Sequence, residues 1–304
     1  MPWLQLKLQT SRELASDVED FLQENHSLAL TLQDSGDQPL FEPPPGATPL
    51  WDDITITALF EAETELAPVV AALQTHFPRI SGGIRVEALE DKDWEREWMA
   101  NYHPMRFGQR LWVVPSWLEP PEPNAVIMKL DPGLAFGTGT HPTTALCLEW
   151  LDGAPLQGAN VVDYGCGSGI LAIAALLLGA DHVTGVDNDP QALLATGQNA
   201  ERNEVAARLT IVSPERYQAS ECDILVANIL AGPLIELAPK LSNLVRKGGQ
   251  IALSGILHHQ AESVMNAYAP FFLLDPIVQR EDWVRISGHR FDDATLAASQ
   301  YKST

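Results

Sequence analysis

A glycine-rich segment in the middle of the chain has the residue types and the spacing of a ligand-binding turn. It reads Asp163-Tyr164-Gly165-Cys166-Gly167-Ser168-Gly169. An apolar run precedes it and the apolar run "ILAIAALLLGA" follows it, which predicts a turn from a buried strand into a buried helix. Glycine lets the main chain adopt positive φ and approach a ligand closely. In parallel α/β sheets, ligands bind at such turns, outside the carboxyl ends of the strands.

The glycine spacing and the acid before it limit what this turn can bind. Dinucleotide sites use G-x-G-x-x-G, whereas this turn reads G-x-G-x-G, and no lysine follows as in a P-loop. Asp163 would repel a phosphate and suits a ligand with positive charge and amine donors. Asp187 ends the next predicted strand, where a carboxylate can accept two hydrogen bonds from ribose hydroxyls. Asp189, before Pro190, is the better helix N-cap, so we predict a ribose-bearing cofactor without a pyrophosphate, held partly by Asp187.

The segment "LDPGLAFGTGTHPTT", residues 130–144, is a second candidate for ligand binding, because loops frequently carry function. His141 has no second histidine nearby to complete a metal site, since the pair at residues 258 and 259 lies in another segment. The cysteines lack the C-x-x-C spacing of zinc sites and are too far apart for a disulfide framework. They are Cys147, Cys166 and Cys222. We predict no bound metal and a loop-shaping or cofactor-contacting role for His141, with a catalytic base as the alternative.

Residues 1–90 are predicted to form a small α+β domain. Alternating runs such as "PWLQLKLQ" and "DITITALFE" predict strands. Two segments with helical spacing, "SRELASDVEDFLQENH" and "ELAPVVAALQTHF", predict helices, and Ser11 is the expected N-cap of the first. The order β-α-β-β-α-β is typical of the ferredoxin-like fold, in which two helices cover one face of four strands. Residues 91–108, where Trp94 and Trp98 share a helical stripe, predict a linker helix.

Residues 109–304 are predicted to form a larger α/β domain. From Thr143 onward, continuous apolar strands alternate with helices, which indicates a parallel, doubly wound, Rossmann-like sheet. The glycine turn leaves the first of these strands, Asp187 ends the second, and Asn228 ends the fourth. The last segment, "FFLLDPIVQREDWVRISGHR", predicts a closing antiparallel hairpin.

Two of these motifs resemble those of a known superfamily. "VVDYGCGSG" and "VTGVDND" are similar to the first two motifs of class I S-adenosylmethionine-dependent methyltransferases. The loop "LDPGLAFGTGTHPTT" and "ANILAGPL", residues 227–234, narrow the resemblance to the PrmA family of ribosomal-protein methyltransferases. That family also has a small N-terminal recognition domain and a linker, so the resemblance spans nearly the whole chain. It implies S-adenosylmethionine as the cofactor, a substrate-recognition domain in residues 1–90 and a methyltransferase domain in residues 109–304.

The resemblance also implies cofactor contacts. Carried over by position, Thr144, Gly165, Asp187 and Asn228 match the cofactor-binding residues of the family. Thr144 lies where the loop becomes a helix. A helix N-terminus favours a negative charge, such as the carboxylate at the methionine end of the cofactor. Asn228, at its strand end, is expected beside the sulfonium. Phe136 could place its aromatic face against that cation, with packing inside the loop as the alternative.

The residues after Asn228 indicate which kind of chemical group accepts the methyl group. The chain continues Ile229-Leu230-Ala231, not the N-P-P-Y found in many enzymes that methylate amide or adenine nitrogen. This departure favours a flexible alkyl amine, and the resemblance implies several amines on one substrate: lysine ε-amines, with the N-terminal α-amine as a further acceptor. Holding a lysine of pKa ~10.4 neutral at pH 7 costs about 4–5 kcal/mol. Since burial and a nearby sulfonium lower that pKa, we predict no dedicated base and loss of the proton to solvent.

Charge and hydropathy restrict the partners. The formal net charge is −21, and residues 1–100 carry 19 acidic and 6 basic side chains against 21 and 13 in the rest. Such a chain repels nucleic acid and attracts basic proteins. We therefore predict that the first domain docks a basic ribosomal protein, with plain solubility as the alternative reading of its charge. With no 18-residue apolar run and no signal-peptide pattern, we expect a cytoplasmic protein without membrane association.

Rival functions remain open on the sequence alone. A small-molecule N-methyltransferase could use the same fold, although a metabolite needs no acidic docking domain. An NAD-dependent oxidoreductase is disfavoured by the glycine spacing and by Asp163. A non-catalytic binding protein is disfavoured by the completeness of the motifs.

Overall fold

The computed structural model describes residues 3–36, 38, 49–89, 103–119, 122, 125–131 and 140–292. Its internal contacts divide the chain into two units, Met1–Ala100 and Asn101–Thr304. Within the described ranges, no helix is long and apolar enough to cross a membrane.

The first unit has the predicted β-α-β-β-α-β order. Its elements are β1 (Trp3–Ser11), α1 (Arg12–Glu24), β2 (Ala29–Asp34), β3 (Asp53–Glu61), α2 (Leu66–His76) and β4 (Ser81–Leu89). The strands form an antiparallel sheet in the order β2-β3-β1-β4. Alternate residues of β1, among them Leu6 and Leu8, point into a core that also holds Ala15, Val18 and Leu22 of α1. Ser11 stands at the N-cap position of α1, but its side chain makes no capping hydrogen bond.

The second unit begins with a small sheet where a helix was predicted. The strands are β5 (Met105–Phe107), β6 (Leu111–Val114) and β7 (Val126–Lys129), with β6 in the centre. The prediction of a linker helix over residues 91–108 is therefore wrong for residues 105–107, which pair as a strand with β6. Residues 91–102, with Trp94 and Trp98, lie outside the described residues. The main chain of β5 gains its hydrogen bonds across the sheet, which outweighs the local helical pattern of the preceding residues.

An eight-stranded sheet forms the centre of the second unit. Its strands are β8 (Asn160–Tyr164), β9 (His182–Val186), β10 (Leu209–Val212), β11 (Cys222–Asn228), β12 (Val245–Leu257), β13 (Phe272–Leu274), β14 (Val278–Arg280) and β15 (Trp283–Arg290). They follow the order β10-β9-β8-β11-β12-β15-β13, and β14 also pairs with β15. The strands from β10 to β12 are parallel, whereas β15 runs antiparallel to β12. The predicted closing hairpin is thus β14–β15, and β13 pairs with the far end of β15.

Helices cover both faces of this sheet. They are α3 (Pro142–Gly153), α4 (Ile170–Leu177), α5 (Pro190–Arg202), α6 (Ala231–Leu244) and α7 (Ala261–Tyr268). Successive strand residues point to opposite faces, so Val161 belongs to the core that includes α3 and α4, and Val162 to the core that includes α6 and α7. This two-sided burial is why the strands are continuously apolar. It confirms the predicted doubly wound, Rossmann-like sheet.

Candidate functional site

The strand order creates a topological switch point at the carboxyl end of β8. From β8 the chain proceeds outward to β9 and β10, then returns to place β11 on the other side of β8. The connections after β8 and β11 therefore leave in opposite directions. Such a switch point is the usual ligand crevice of an open α/β sheet. Gly165 follows the end of β8, Asp187 follows β9, and Asn228 ends β11.

The glycine turn adopts the conformation that its composition predicts. Gly165, Gly167 and Gly169 have φ of 83°, 55° and 80°, in the left-handed region. A Cβ atom on Gly165 would overlap Cγ2 of Ile229, the residue after Asn228. Since other residues disfavour this φ, and space here is lacking as well, a larger residue at position 165 would be strained. Gly169 stands at the N-cap position of α4, so the turn opens directly into the buried helix.

Asp187 connects the glycine turn to the segment that precedes α5. Its Oδ2 accepts a hydrogen bond from Gly167 N at 2.8 Å, and its Oδ1 accepts one from Asp189 N at 3.0 Å. A carboxylate offers about four acceptor positions, so each oxygen keeps capacity for a ligand hydroxyl. Asp189 in turn accepts a hydrogen bond from Gln191 N at 2.9 Å and caps α5, which confirms the N-cap prediction.

Asp163 places a buried carboxyl group beside the turn. Its side chain is fully buried, and its Oδ2 accepts a hydrogen bond from Ala172 N at 3.0 Å. Its Oδ1 has no hydrogen-bond partner among the described residues. Burial, with a smaller effect of the nearby Asp187, raises the pKa of the Asp163 carboxyl to about 7. An orphaned buried acceptor that shares its surroundings with a glycine cradle fits a cationic, amine-bearing ligand such as S-adenosylmethionine.

Thr144 and Asn228 meet although 84 residues separate them in sequence. Asn228 Nδ2 donates a hydrogen bond to Thr144 Oγ1 at 3.3 Å. Thr144 is the third residue of α3 and is fully buried. The bond holds the first turn of α3 against the end of β11. The four predicted cofactor contacts thus lie at one edge of the sheet. Ile229, next to Asn228, lies against Gly165, and Asp187 is bonded to the same glycine turn through Gly167.

His141 shapes the start of α3. Its Nδ1 lies 2.7 Å from Thr143 Oγ1 and accepts a hydrogen bond from Thr143 N at 3.4 Å, which makes it the N-cap. Its ring contacts Trp283 edge-on, with 4.9 Å between centroids. Burial lowers the pKa of His141, and the charge of Glu281 partly opposes this. These contacts favour the predicted loop-shaping role over that of a base. Among the described residues, no group of three or more His, Cys, Asp or Glu could hold a metal.

Most of the loop before α3 lies outside the described residues, from 132 to 139. That range includes Phe136, so its predicted contact with the cofactor stays a prediction.

Sequence reasoning missed Gly255. This residue lies inside β12 with φ of 82°, where a Cβ atom would overlap the backbone carbonyl of Ile229. The register of β12 with β15 shifts between Leu253 and Ile256, so Gly255 marks a bulge. Ile229 is therefore enclosed by two glycines, Gly165 and Gly255, and its neighbour Asn228 is fixed with it. A lone glycine in the strand pattern "QIALSGIL" was the available signal.

Comparison with known proteins agrees with this geometry. The family model described as ribosomal protein L11 methyltransferase (PrmA) matches residues 2–291. The ribosomal protein L11 methyltransferase of Klebsiella pneumoniae (strain 342) is 58% identical over 293 residues, covering 95% of this chain and 100% of the relative. That of Edwardsiella ictaluri (strain 93-146) is 57% identical over 294 residues, with the same coverage.

A solved structure extends the likeness to the fold. The ribosomal protein L11 methylase of Lactobacillus delbrueckii subsp. bulgaricus superposes with a TM-score of 0.58 at 34% identity, over 63% of this chain and 100% of that chain. The predicted family, the Rossmann-like methyltransferase fold and S-adenosylmethionine as cofactor are confirmed. Matches of this identity and length show that the chain belongs to the ribosomal protein L11 methyltransferase (PrmA) family.

Proposed function

We propose that this protein methylates lysine ε-amines of ribosomal protein L11, with the N-terminal α-amine as a further acceptor. The observation that carries the proposal is the meeting of two groups of residues at one edge of the sheet. The first is the glycine turn beside Asp163, whose Oδ1 has no hydrogen-bond partner among the described residues, and the second is the Thr144–Asn228 pair. The relatives reported above are named for the same protein substrate.

Each residue has a distinct part in holding S-adenosylmethionine. Gly165 would give the main chain close approach, and Asp187 would accept hydrogen bonds from ribose hydroxyls. The Asp163 carboxylate would balance the positive charge of the cofactor. Thr144, at the N-terminal turn of α3, would face the methionine carboxylate, which a helix N-terminus favours. When bound, the sulfonium supplies an electrophilic methyl group.

Asn228 is suited to align the acceptor amine. Because its Nδ2 is engaged by Thr144, its Oδ1 is left as an acceptor for an N–H of the incoming amine. The bond to Thr144 fixes the orientation of the amide, and Gly255 and Gly165 fix the backbone that follows it. Alignment of this kind is the main contribution a protein can make to an in-line displacement.

Proton removal from the acceptor requires no side chain of this site. His141 is engaged as a helix cap through Nδ1 and contacts Trp283. Asp163 is fully buried behind the turn. A lysine brought into this crevice loses solvation and meets a cationic cofactor, and both effects lower its pKa, so the proton can pass to water. A base at His141 would instead give His141→Asn a loss of turnover that is largest at low pH and is relieved as pH rises, because a neutral lysine then no longer needs the base.

We also propose that residues 1–90 dock the substrate. The acidic excess of residues 1–100 complements a basic ribosomal protein. An open apolar groove of about 520 Å³ lies between α2 and the edge strand β4, lined by Leu4, Ala67, Val70 and Val86 among others. Val86 pairs opposite the buried Leu6 and so faces the helices, yet it remains 46% exposed. Exposed apolar surface on the helix-bearing face of this acidic unit offers an anchor for the substrate.

The docking proposal has a direct test. Val86→Glu places a charge in the groove, so we expect KM for L11 to rise by about tenfold while kcat and cofactor affinity stay unchanged. Leu273→Glu is the matched control, because Leu273 is also an exposed apolar strand residue, 60% exposed, but lies in the second unit. Salt should weaken association with L11. Equal KM values for the two variants, or salt-independent binding, would contradict the proposal.

The activity itself is tested by intact-mass measurement of L11 incubated with S-adenosylmethionine and this protein. Mass steps of one methyl group are expected, and fragment masses should place them on lysines. The alternative, a small-molecule N-methyltransferase, predicts an unmodified L11 and gives no use to the acidic docking unit. An L11 substrate also implies a cytoplasmic location, where ribosomal proteins are made and assembled.

A further inference from the structure

The β14–β15 hairpin brings an aromatic residue to the candidate site that the sequence motifs do not mark. Trp283 begins β15 and pairs with Leu257, the last residue of β12. In the same sheet, Asn228 at the end of β11 pairs with Ser254 of β12. Since β12 continues past Ser254 to Leu257, Trp283 lies at the carboxyl edge of the sheet, on the β12 side of Asn228.

Trp283 contacts the helix cap, His141, and not Asn228 itself. Its ring meets the ring of His141 at 4.9 Å between centroids, with an angle of 68° between planes. His141 caps α3, and three residues further on Thr144 accepts the hydrogen bond of Asn228. A continuous series of contacts therefore runs from Trp283 through His141 and the first turn of α3 to Asn228.

Other contacts fasten the hairpin along α3. Arg280 Nη2 pairs with Glu149 Oε1 at 2.8 Å, and Arg285 Nη1 donates a hydrogen bond to Leu146 O at 3.2 Å. The loop between the strands has only two residues, since Arg280 pairs with Trp283. Its first residue, Glu281, has φ of 53°. A two-residue loop with a left-handed residue fixes the register of a hairpin, so the position of Trp283 is set by the loop as well as by α3.

We propose that Trp283 and His141 are positioning residues for cofactor binding and methyl transfer. Their ring contact holds the first turn of α3 in place, so that Thr144 stays bonded to Asn228 and faces the methionine end of the cofactor. Neither ring needs to touch the reacting atoms. The proposal depends on the proposed function only for the identity of the cofactor.

Binding of S-adenosylhomocysteine, measured by titration calorimetry, tests this without turnover. Trp283→Ala should weaken binding by about three- to tenfold, the worth of an aromatic pair. Trp283→Phe keeps a ring and should restore most of the affinity. His141→Asn is the second variant, because asparagine still caps a helix but cannot make the ring contact, and it should match Trp283→Ala. Val278→Ala, an exposed residue of the same hairpin, is the control and should bind as the wild type does.

A double-mutant cycle separates positioning from general destabilisation. If Trp283 acts through Thr144, Trp283→Ala should have little further effect on affinity in a Thr144→Val background. Fully additive losses, or wild-type affinity in His141→Asn, would overturn the proposal. Should the wild-type protein itself fail to bind S-adenosylhomocysteine, the proposed function fails instead, so the two failures are distinguishable.

Discussion

The two sides of the candidate site are built in different ways. The β8–β9 side, with Asp163, Gly165 and Asp187, comes from one short stretch of chain. It is held by left-handed glycines and by hydrogen bonds from main-chain N–H groups to the two carboxylates. The α3–β11 side depends on side-chain contacts between distant residues, Thr144 with Asn228 and His141 with Trp283. The first side is a local backbone structure that the sequence motif specifies. The second side exists only when several elements pack together.

This difference predicts unequal sensitivity to substitution. A backbone cradle has no adaptable parts, so changes there should be all-or-none. Side-chain contacts can be weakened by degrees, and changes there should give graded losses.

The largest effect is expected on the β8–β9 side, for Gly165→Ala. The added Cβ would meet Ile229 and the residue would keep an unfavourable φ of 83°, which should cost roughly 2–4 kcal/mol of stability. Cofactor binding should be lost. Gly158→Ala is the matched control, because Gly158 has φ of 73° with open space around it, and it should cost about 1 kcal/mol. Denaturant unfolding of both variants measures the difference. Equal costs would show that Ile229 yields and that the cradle is adaptable.

Asn228→Ala should give the largest effect on the α3–β11 side. It removes the amide that aligns the amine and leaves Thr144 without this donor, so kcat should fall by about a hundredfold. Stability should change by only about 1 kcal/mol, because the hydrogen bond is single and partly buried. Thr144→Ser keeps the hydroxyl and should retain activity, whereas Thr144→Val should not. Steady-state rates on L11 provide the measurement. A Thr144→Val variant as active as Thr144→Ser would remove the pair from the mechanism.

Asp163→Asn tests the buried charge through pH. The folded pKa of about 7 lies above the ordinary value of 3.8, so the folded state holds more protons between these values and wild-type stability should fall as pH rises from about 4 to 7. The asparagine variant lacks this decline and should be more stable than wild type at pH 8, by about 1–3 kcal/mol.

Affinity for the cofactor should change with pH in the opposite direction to stability, again because of Asp163. A cationic cofactor favours the ionised carboxylate, so wild-type affinity should increase up to pH 7, while that of Asp163→Asn should be weaker at pH 8 and nearly independent of pH. Unfolding and binding curves at pH 5 and pH 8 check both signs. Parallel pH profiles for the two proteins would show that Asp163 is not the titrating group.

The smallest effect is expected for Arg280→Gln, which removes the ion pair with Glu149 on α3. Both side chains are partly exposed, at 41% and 33%, and such pairs contribute about 0–1 kcal/mol. Affinity for S-adenosylhomocysteine should change by less than about twofold. A loss as large as that of Trp283→Ala would mean that the whole hairpin, rather than the ring contact, positions α3.

The sequence motifs anticipated the β8–β9 side more fully than the α3–β11 side. The glycine turn, the cap at Asp189 and the strand ends were all readable, because each depends on local φ angles or on residues a few positions apart. The structure adds one point to the predicted role of Asp187 as a ribose ligand: both of its oxygens already accept hydrogen bonds from main-chain N–H groups. The predicted helix over residues 91–108 was wrong at β5, where pairing with β6 decides the conformation.

Patterns in the sequence were enough to predict the family, the β-α-β-β-α-β order of the first unit, its acidic character and the local cradle. Folding brings Ile229 between Gly165 and Gly255 and sets Trp283 against His141, and neither contact could be predicted from the sequence. The difference comes from how far apart in the sequence the interacting residues are. Glycine conformation and hydrophobic periodicity act within a few residues and leave a pattern in the sequence. A contact between residues 141 and 283 depends on how β15 pairs with β12 and on how α3 packs, and these arrangements join residues that are far apart in the sequence.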